Sequence, residues 1–272
     1  HSAKGIESSL TGVNPRTIIF TSFLISFTNC FNPNLKASSE SCGLPSFLPI
    51  LAVSFTIATA GTLTGNVKYD GKPPKKKRLR MDADPVCGSS HSGAVYSENF
   101  KMGEDGSMAE ALVYLKNVAY SGGVPSEPAV LDQQGCIYVP HVFGMIAVQE
   151  LLIKNSDPTL HNIDSMPKVN KEFNKAMPRS KKLMSVTFDK SEDPFKIKCD
   201  VHPWMGAYLG VFDHPYFAVT DDSGSYTISD LPAGKYVIEA WHEKLGTQTA
   251  DITVDDSGAS QDFSFKKPSK KK

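Results

Sequence analysis

The segment Cys199-Asp-Val-His-Pro-Trp-Met205 carries a thiol, an imidazole and a thioether within seven residues. A second imidazole, His161, lies upstream in Pro158-Thr-Leu-His-Asn162, after a run of alternating apolar residues. A single tight loop can hold the first three side chains around one ion, and His161 can return to them from a neighbouring strand. The spacing therefore predicts one metal site on a framework of β-strands.

Each of these side chains suits copper. Thiolate sulfur is soft, imidazole binds both Cu(I) and Cu(II), and a thioether is the weak axial ligand of trigonal His₂Cys electron-transfer sites. The predicted ligands of one copper ion are His161, Cys199, His202 and Met205. Beside them, we expect Pro203 to remove one backbone N–H near the thiolate and Asn162 to tie its loop to the Cys199 loop.

Two other interpretations of these residues stay open. Cys199 could be a small buried hydrophobe, with Met205 in the same core. Zinc also takes Cys and His, but Met is a poor zinc ligand, so only three protein donors would remain.

The chain after Ala60 has the pattern of an all-β protein. Short stretches rich in β-branched and aromatic residues alternate with Gly, Pro and Asp turns, and a short helical turn is expected only around Asn170–Lys175. Many short strands with regular turns favour a sandwich or a barrel.

The ligand loop closely resembles that of the amicyanin type of cupredoxin, in spacing and in the Pro after the His. The resemblance covers about residues 129–213, including Leu183–Phe188 and Ile146–Lys154, and it implies a Greek-key β-sandwich with the four ligands given above. It also implies that the exposed edge of His202 is the electron port. Apolar candidates for the ring around that port are Met166, Pro167, Met177, Pro178, Pro203 and Trp204.

A second resemblance joins the two ends of the chain. Val219–Tyr226 and Leu231–Tyr236 are similar to carboxypeptidase regulatory-like, transthyretin-type β modules, and Leu63–Pro73 resembles the first strand and turn of the same modules. If these parts belong together, the cupredoxin segment is inserted in the module and residue 63 pairs near residue 230. The predicted divisions are a leader (1–60), an N-terminal β segment (61–110), a cupredoxin domain (111–213), a transthyretin-type module (214–266) and a basic tail (267–272).

Composition limits the partners. Lys plus Arg and Asp plus Glu are both 29, so no global charge directs the chain to nucleic acid. The basic runs Lys75–Arg80 and Lys266–Lys272 are interpreted as a solvated loop and a tail, with contact to an anionic surface or partner as the alternative.

The N-terminal region and the cysteines predict export to the periplasm or the cell exterior, as for a bacterial protein. Phe47–Ala60 has the length of a signal h-region and ends in Ala58-Thr-Ala60, a cleavage pattern. Cys30 and Cys42 would leave with this leader, which makes Cys87 and Cys136 an even pair suited to a disulfide in an oxidising compartment. Two free thiols in a cytosolic protein, or a second metal site, are the alternatives.

Further metal-binding side chains lie outside the main motif. They are Asp84, His91, His141, His214 and His242. Such histidines are usually hydrogen-bonded structural residues, but a second copper or zinc site made from some of them is a hypothesis that metal counting can test.

These observations favour a single-copper electron carrier that exchanges electrons with a redox protein such as a cytochrome or a dehydrogenase. No nucleophile or general base is evident, so we predict no enzymatic turnover. An alternative is an envelope scaffold that binds glycan or a partner and holds copper for structure or storage. Tyr236 and Trp241 are the aromatics to test for it, although Trp241 lies in an apolar strand typical of a core. A copper oxidase or reductase would need an additional substrate-binding copper.

Overall fold

The computed structural model describes residues 60–267. The leader predicted over residues 1–60, including Cys30 and Cys42, lies outside this range except for Ala60, as does most of the basic tail. Within the described residues, no helix is both long enough and apolar enough to cross a membrane.

The described chain is almost entirely β-structure, which confirms the predicted class. In chain order the elements are β1 (Ala60–Asp70), α1 (Pro85–Ser89), β2 (Leu112–Lys116), β3 (Ala129–Gln134), β4 (Ile137–Val139), β5 (Val142–Ile146), β6 (Glu150–Asn155), β7 (His161–Ser165), β8 (Phe173–Met177), β9 (Leu183–Thr187), β10 (Glu192–Lys198), β11 (Gly206–Phe212), β12 (Phe217–Val219), β13 (Ser225–Pro232), β14 (Gly234–His242), β15 (Gly246–Val254), β16 (Ala259–Ser260) and β17 (Phe263–Lys266). The helical turn expected at Asn170–Lys175 is wrong, because β8 pairs there with β7.

Two sheets within residues 129–212 form the first sandwich. Their strand orders are β4-β3-β6-β9 and β5-β11-β10-β7-β8, with parallel pairing of β3 with β6 and of β5 with β11. Alternate side chains of a strand point to one face, so each strand sends every second residue inward. Leu131, Ile153, Ile163, Ile197 and Leu209 are fully buried in the common core.

Strands from both ends of the described chain form the second sandwich. One sheet has the order β13-β1-β16, with β17 also on β1, and the other has the order β12-β2-β14-β15. Sequence analysis expected residue 63 to pair near residue 230, and Leu63 lies opposite Ile228. Leu63, Val67, Ile238 and Phe265 are buried in its core.

The strand β2 corrects the predicted start of the cupredoxin segment at residue 111. It pairs with β12 and β14, so it belongs to the second sandwich. Val113 and Leu115 face the core of that sandwich, whereas Leu112 and Tyr114 pack with Phe212 of the first sandwich. Burial on both faces explains why its sequence is a continuous apolar run rather than an alternating one.

Residues 77–99, which we call the covering segment, lie over one end of the first sandwich. Apart from α1 and an isolated bridge between Arg78 and Tyr96, this segment has no regular structure. Met81 and Cys87 are buried in the core of the first sandwich. Cys87 forms a disulfide with Cys136, between β3 and β4, which confirms the predicted pairing.

Candidate metal centre

The predicted ligand loop joins two neighbouring antiparallel strands. Cys199 follows the last residue of β10, and Met205 precedes the first residue of β11. Cys199, His202 and Met205 are each only 2% exposed. The backbone N–H of His202 donates to Cys199 Sγ (3.3 Å), and that of Met205 donates to the carbonyl of His202 (2.9 Å). The loop therefore turns its three predicted ligands inward.

The second imidazole arrives from β7, as a neighbour of the loop. This strand runs antiparallel to β10 with Asp164 opposite Lys198, so its first residue, His161, lies beyond the end of β10 beside the loop. His161 is fully buried, and its Nδ1 lies 2.8 Å from His202 Nδ1. The donor atoms of His161, Cys199 and His202 all lie within 4.8 Å of one another.

Both imidazoles present the same nitrogen to this centre, because a carboxylate holds the other one. His161 Nε2 lies 2.9 Å from Asp157 Oδ2, and His202 Nε2 lies 3.0 Å from Asp84 Oδ2. A hydrogen bond to a carboxylate fixes the proton of a metal-binding imidazole on the outer nitrogen. In two neutral imidazoles the Nδ1 atoms, 2.8 Å apart, would then direct lone pairs at one another, and either a proton on one Nδ1 or a shared cation relieves this repulsion.

Hydrogen bonds around Cys199 favour the thiolate. Burial alone would raise its pKa, but the hydrogen bonds from His161 and from the backbone N–H groups of Asn162, His202 and Val201 lower the pKa overall. Asn162 Oδ1 lies 3.2 Å from Cys199 Sγ and accepts hydrogen bonds from the backbone N–H of Asp200 (2.7 Å) and Val201 (3.3 Å). Asn162 thus connects β7 to the ligand loop, which keeps His161 and Cys199 in register.

Asp157 connects the site to the disulfide, and sequence analysis did not single it out. Besides His161, it accepts hydrogen bonds from the backbone N–H groups of Gly135 (2.7 Å) and Cys136 (2.8 Å). Gly135 and Cys136 both have positive φ, which a two-residue hairpin turn requires. Burial raises the pKa of Asp157, but these hydrogen bonds lower it overall, so the carboxylate stays ionised. In the sequence, the feature that connects Asp157 with the site is its position four residues before His161.

The covering segment closes the site over His202. Asp84 caps α1 by accepting from the backbone N–H of Val86 (2.8 Å), and its second oxygen faces His202. Cys87 Sγ lies 3.6 Å from the same imidazole nitrogen. The prediction that the edge of His202 is exposed is therefore wrong, because the helix cap and the disulfide occupy the space in front of it.

The predicted apolar ring does not form around His202. Met166 is exposed and Pro167 is buried, but both follow the far end of β7, roughly 16 Å along the strand from His161. Met177 lies opposite His161 in the β7–β8 pair, but it is fully buried in the core and offers no exposed surface. Trp204 does lie at the site: its ring centroid is 4.9 Å from that of His202, and its Nε1 donates to the carbonyl of Cys136 (3.0 Å).

The four histidines proposed for a second metal site belong to none of the donor clusters of the described chain. No group of three or more His, Cys, Asp or Glu donors among residues 60–267 includes any of them. Each imidazole has a protein partner instead: His91 with Gly135 O, His141 with Glu243, His214 with Leu115 O, and His242 with Lys244 N. Burial lowers the pKa of His242 to about 4, so it is neutral. A second site built from these residues is not supported within the described chain.

The aromatics proposed for glycan binding serve packing. The ring of Trp241 lies 5.1 Å from that of Tyr208, at the junction of the two sandwiches. Tyr236 packs on the core of the second sandwich and donates to the carbonyl of Pro232 (2.7 Å). Neither side chain belongs to an exposed aromatic platform.

Similar solved structures are copper proteins that match about a third of the chain. Copper-containing nitrite reductase (NirK) from Thermus scotoductus SA-01 is 15% identical with a TM-score of 0.30, over 36% of this chain and 25% of that one. A purple cupredoxin from Nitrosopumilus maritimus is 20% identical with a TM-score of 0.26, over 30% of this chain and 98% of that one. Amicyanin from Paracoccus versutus is 17% identical with a TM-score of 0.28, over 36% of this chain and 96% of that one. No protein-family model and no curated protein matches the sequence.

Proposed function

We propose that this chain is an exported copper protein that transfers single electrons between redox partners. One copper ion of the type 1 class would be held by His161, Cys199 and His202, with the thioether of Met205 as the fourth ligand. The observation that carries the proposal is the convergence of two imidazole Nδ1 atoms and a thiol, all buried, with both Nε2 atoms already committed to carboxylates.

The donor set fits one ion in size and in chemistry. Two atoms bound to one metal at about 2.0–2.3 Å cannot be more than roughly 4.6 Å apart. The separations of 2.8 Å between the two Nδ1 atoms and 4.0 Å between Cys199 Sγ and His202 Nδ1 meet this limit. Two imidazoles and one soft thiolate, with Met205 in the same loop, match copper better than zinc.

The protein would contribute a site that changes little between the two oxidation states. When bound, copper supplies the chemistry by alternating between Cu(I) and Cu(II). Asp157 and Asp84 fix the orientation of His161 and His202, and Asn162 fixes the Cys199 loop. Because these groups are hydrogen-bonded before metal arrives, and all of them except the half-buried Asp84 are buried, the ligands need no large rearrangement.

The remaining parts of the proposal concern the setting. The disulfide between Cys87 and Cys136 supports an oxidising compartment, such as the periplasm or the cell exterior. The second sandwich is proposed to be a carboxypeptidase regulatory-like, transthyretin-type module. We propose no enzymatic turnover, and the redox partner would be a protein such as a cytochrome or a dehydrogenase.

Copper loading tests the proposal. The chain loaded with Cu(II) should hold one copper, show an intense visible thiolate-to-Cu(II) band, and lose and regain that band through reduction and reoxidation. Cys199→Ser should abolish the band, whereas His242→Ala, which changes a buried imidazole outside the site, should keep it. A colourless wild-type chain, or one that loses copper at each reduction, would rule out an electron carrier.

The covered edge of His202 favours a second candidate, in which copper is stored or structural. A covered imidazole slows electron exchange and also slows loss of the ion. A chain that keeps the visible band but exchanges electrons no faster than Cys199→Ser, and yields Cu(I) to a chelator only after the disulfide is reduced, would favour storage.

A further inference from the structure

A surface cleft of about 510 Å³ opens beside the ligand loop. One wall consists of the loop residues Pro203, Trp204 and Met205. The covering segment also lines the cleft, where the basic run at Lys75–Arg80 contributes Lys77, Arg78 and Arg80. The basic run, interpreted from the sequence as a solvated loop, therefore lines the same cleft as the ligand loop.

The cleft concentrates positive charge in a chain whose formal net charge is zero. Five cationic side chains line it against two carboxylates, Glu98 and Glu243, which gives a net charge of +3; the cations are Lys77, Arg78, Arg80, Lys196 and Lys244. Glu243 is already paired with His141 (2.7 Å) and Lys244 (3.1 Å), and Glu98 lies 3.8 Å from Lys101.

Four of the cations are available to an outside partner. Lys77, Arg78, Arg80 and Lys196 are exposed, and none of them has an ion-pair partner among the residues that the structure describes. Long cationic side chains around a concave surface raise the local concentration of anionic groups and accelerate their association. The charge therefore complements an acidic docking patch.

The cleft gives access to the ligand loop, whereas the Nε2 edge of His202 is covered. Trp204 lines the cleft and is in ring contact with His202, with centroids 4.9 Å apart. Met205, the next residue and itself a predicted ligand, lines the same cleft. The Nε2 edge of His202, in contrast, faces Asp84 and Cys87.

We propose that an acidic single-electron redox protein docks in this basic cleft, against Trp204, rather than over the edge of His202. This inference rests on the proposed electron-transfer function and names the charge of its partner. With copper held by His161, Cys199, His202 and Met205, docking would let one electron pass from the reduced partner to Cu(II), which would oxidise the partner and reduce the copper with no bond or proton exchanged. The reverse direction would reoxidise Cu(I).

A metal-free experiment tests docking alone. A short polyglutamate peptide is added to the isotope-labelled chain, and the indole N–H signals of its two tryptophans are followed by NMR. The signal of Trp204, assigned with Trp204→Phe, should move in a saturable way, and that of Trp241, which does not line the cleft, should stay. The double variant Lys77→Glu/Arg80→Glu should weaken binding about tenfold or more, whereas Lys235→Glu on the second sandwich should not.

A kinetic experiment tests the same surface in the copper-loaded chain. The Cu(I) form is oxidised by anionic ferricyanide or by cationic tris(phenanthroline)cobalt(III). At low salt, Lys77→Glu/Arg80→Glu should lower the rate of oxidation by ferricyanide about tenfold and raise the rate of oxidation by the cobalt complex. High salt should reduce both effects. Lys235→Glu should change either rate less than twofold.

The outcomes separate the two proposals. Absence of the visible copper band would overturn the proposed function, and the NMR experiment would still decide whether the cleft binds acidic peptide. A normal band with rates and peptide binding indifferent to the cleft charges would overturn the docking proposal alone. Cleft-dependent binding of heparin or anionic vesicles without binding of polyglutamate would also overturn it, in favour of a glycan or membrane surface.

Discussion

The two sandwiches bury histidines in opposite ways. In the first, His161 and His202 turn the same nitrogen toward a thiol, and each is held from behind by a carboxylate. In the second, His242 is 1% exposed and accepts one hydrogen bond from the backbone N–H of Lys244, with no thiol beside it. Burial of a polar side chain therefore does not identify a site, whereas convergence of several donors with their outer atoms satisfied does.

The strongest test of this contrast replaces one histidine of each sandwich by alanine. His161→Ala should abolish stoichiometric copper binding, because the centre would keep only one imidazole and the thiolate. His242→Ala should keep one copper per chain and lower the free energy of unfolding by about 1–3 kcal/mol, through the hydrogen bond and the packing that it removes. Copper analysis after gel filtration and urea unfolding give the two readouts. Equal copper loss in both variants would refute the distinction.

Removal of the disulfide should have the next largest effect. Cys87 and Cys136 are 49 residues apart, and a cross-link of that length lowers the entropy of the unfolded chain enough to stabilise the fold by about 4 kcal/mol. Cys87→Ser/Cys136→Ser should lower the unfolding free energy by up to this amount and speed copper release to a chelator, because the covering segment loses its attachment. A destabilised variant that releases copper at the wild-type rate would show that the segment does not gate the site.

Neutralising Asp84, the carboxylate that holds His202 Nε2, should lower copper affinity less than removal of a ligand does. Asp84→Asn keeps the shape of the side chain but weakens its hold on the imidazole proton, so copper affinity should fall about 10–100-fold. Asp82→Asn, on an exposed neighbour in the same segment, is the matched control. The measurement is competition with a chelator of known affinity. If both variants bind like wild type, Asp84 is a helix cap and nothing more.

The smallest expected effect is on stability, and it comes from neutralising a buried carboxylate of the first sandwich that lies outside the candidate site. Glu192 accepts hydrogen bonds from the backbone N–H groups of Lys168, Val169 (3.0 Å) and Asn170 (3.0 Å). Burial raises its pKa, but these hydrogen bonds lower it overall, below the ordinary value of 4.5. The stabilisation that ionised Glu192 gives to the fold is therefore complete above about pH 4.5, and it is lost as the pH falls through the depressed pKa.

Glu192→Gln should consequently lower the unfolding free energy of the metal-free chain by about 1–2 kcal/mol at pH 7, and by less as the pH falls below 4.5. Urea unfolding at several pH values measures this. Copper affinity should not change. A pH-independent difference would mean that shape rather than charge matters at this position.

The sequence was most informative where the chemistry is local. Three ligands lie within seven residues of one loop, and two cysteines remained once the leader and Cys199 were set aside, so the loop and the disulfide could be predicted. The cover over His202 could not. Asp84 meets His202 across 118 positions, through a segment without regular periodicity, and its Asp-Pro pair signals only a helix start.

The sequence also predicts poorly which strands belong to which sandwich. The predicted cupredoxin segment (111–213) includes β2, but β2 pairs with strands of the second sandwich, because strand pairing depends on which faces are buried. A run such as Leu112–Leu115 is apolar on both faces and fits either sandwich. Its partners, β12 and β14, follow about a hundred residues later, and no local pattern identifies them.

The account depends most directly on the atoms around copper, and X-ray absorption at the copper edge counts them. The chain loaded with one Cu(I) or Cu(II) should show one short bond to sulfur and two bonds to imidazole nitrogen in both oxidation states, with the short sulfur bond missing in Cys199→Ser. A copper environment of nitrogen and oxygen alone in the wild-type chain, unchanged by Cys199→Ser, would contradict the proposed centre.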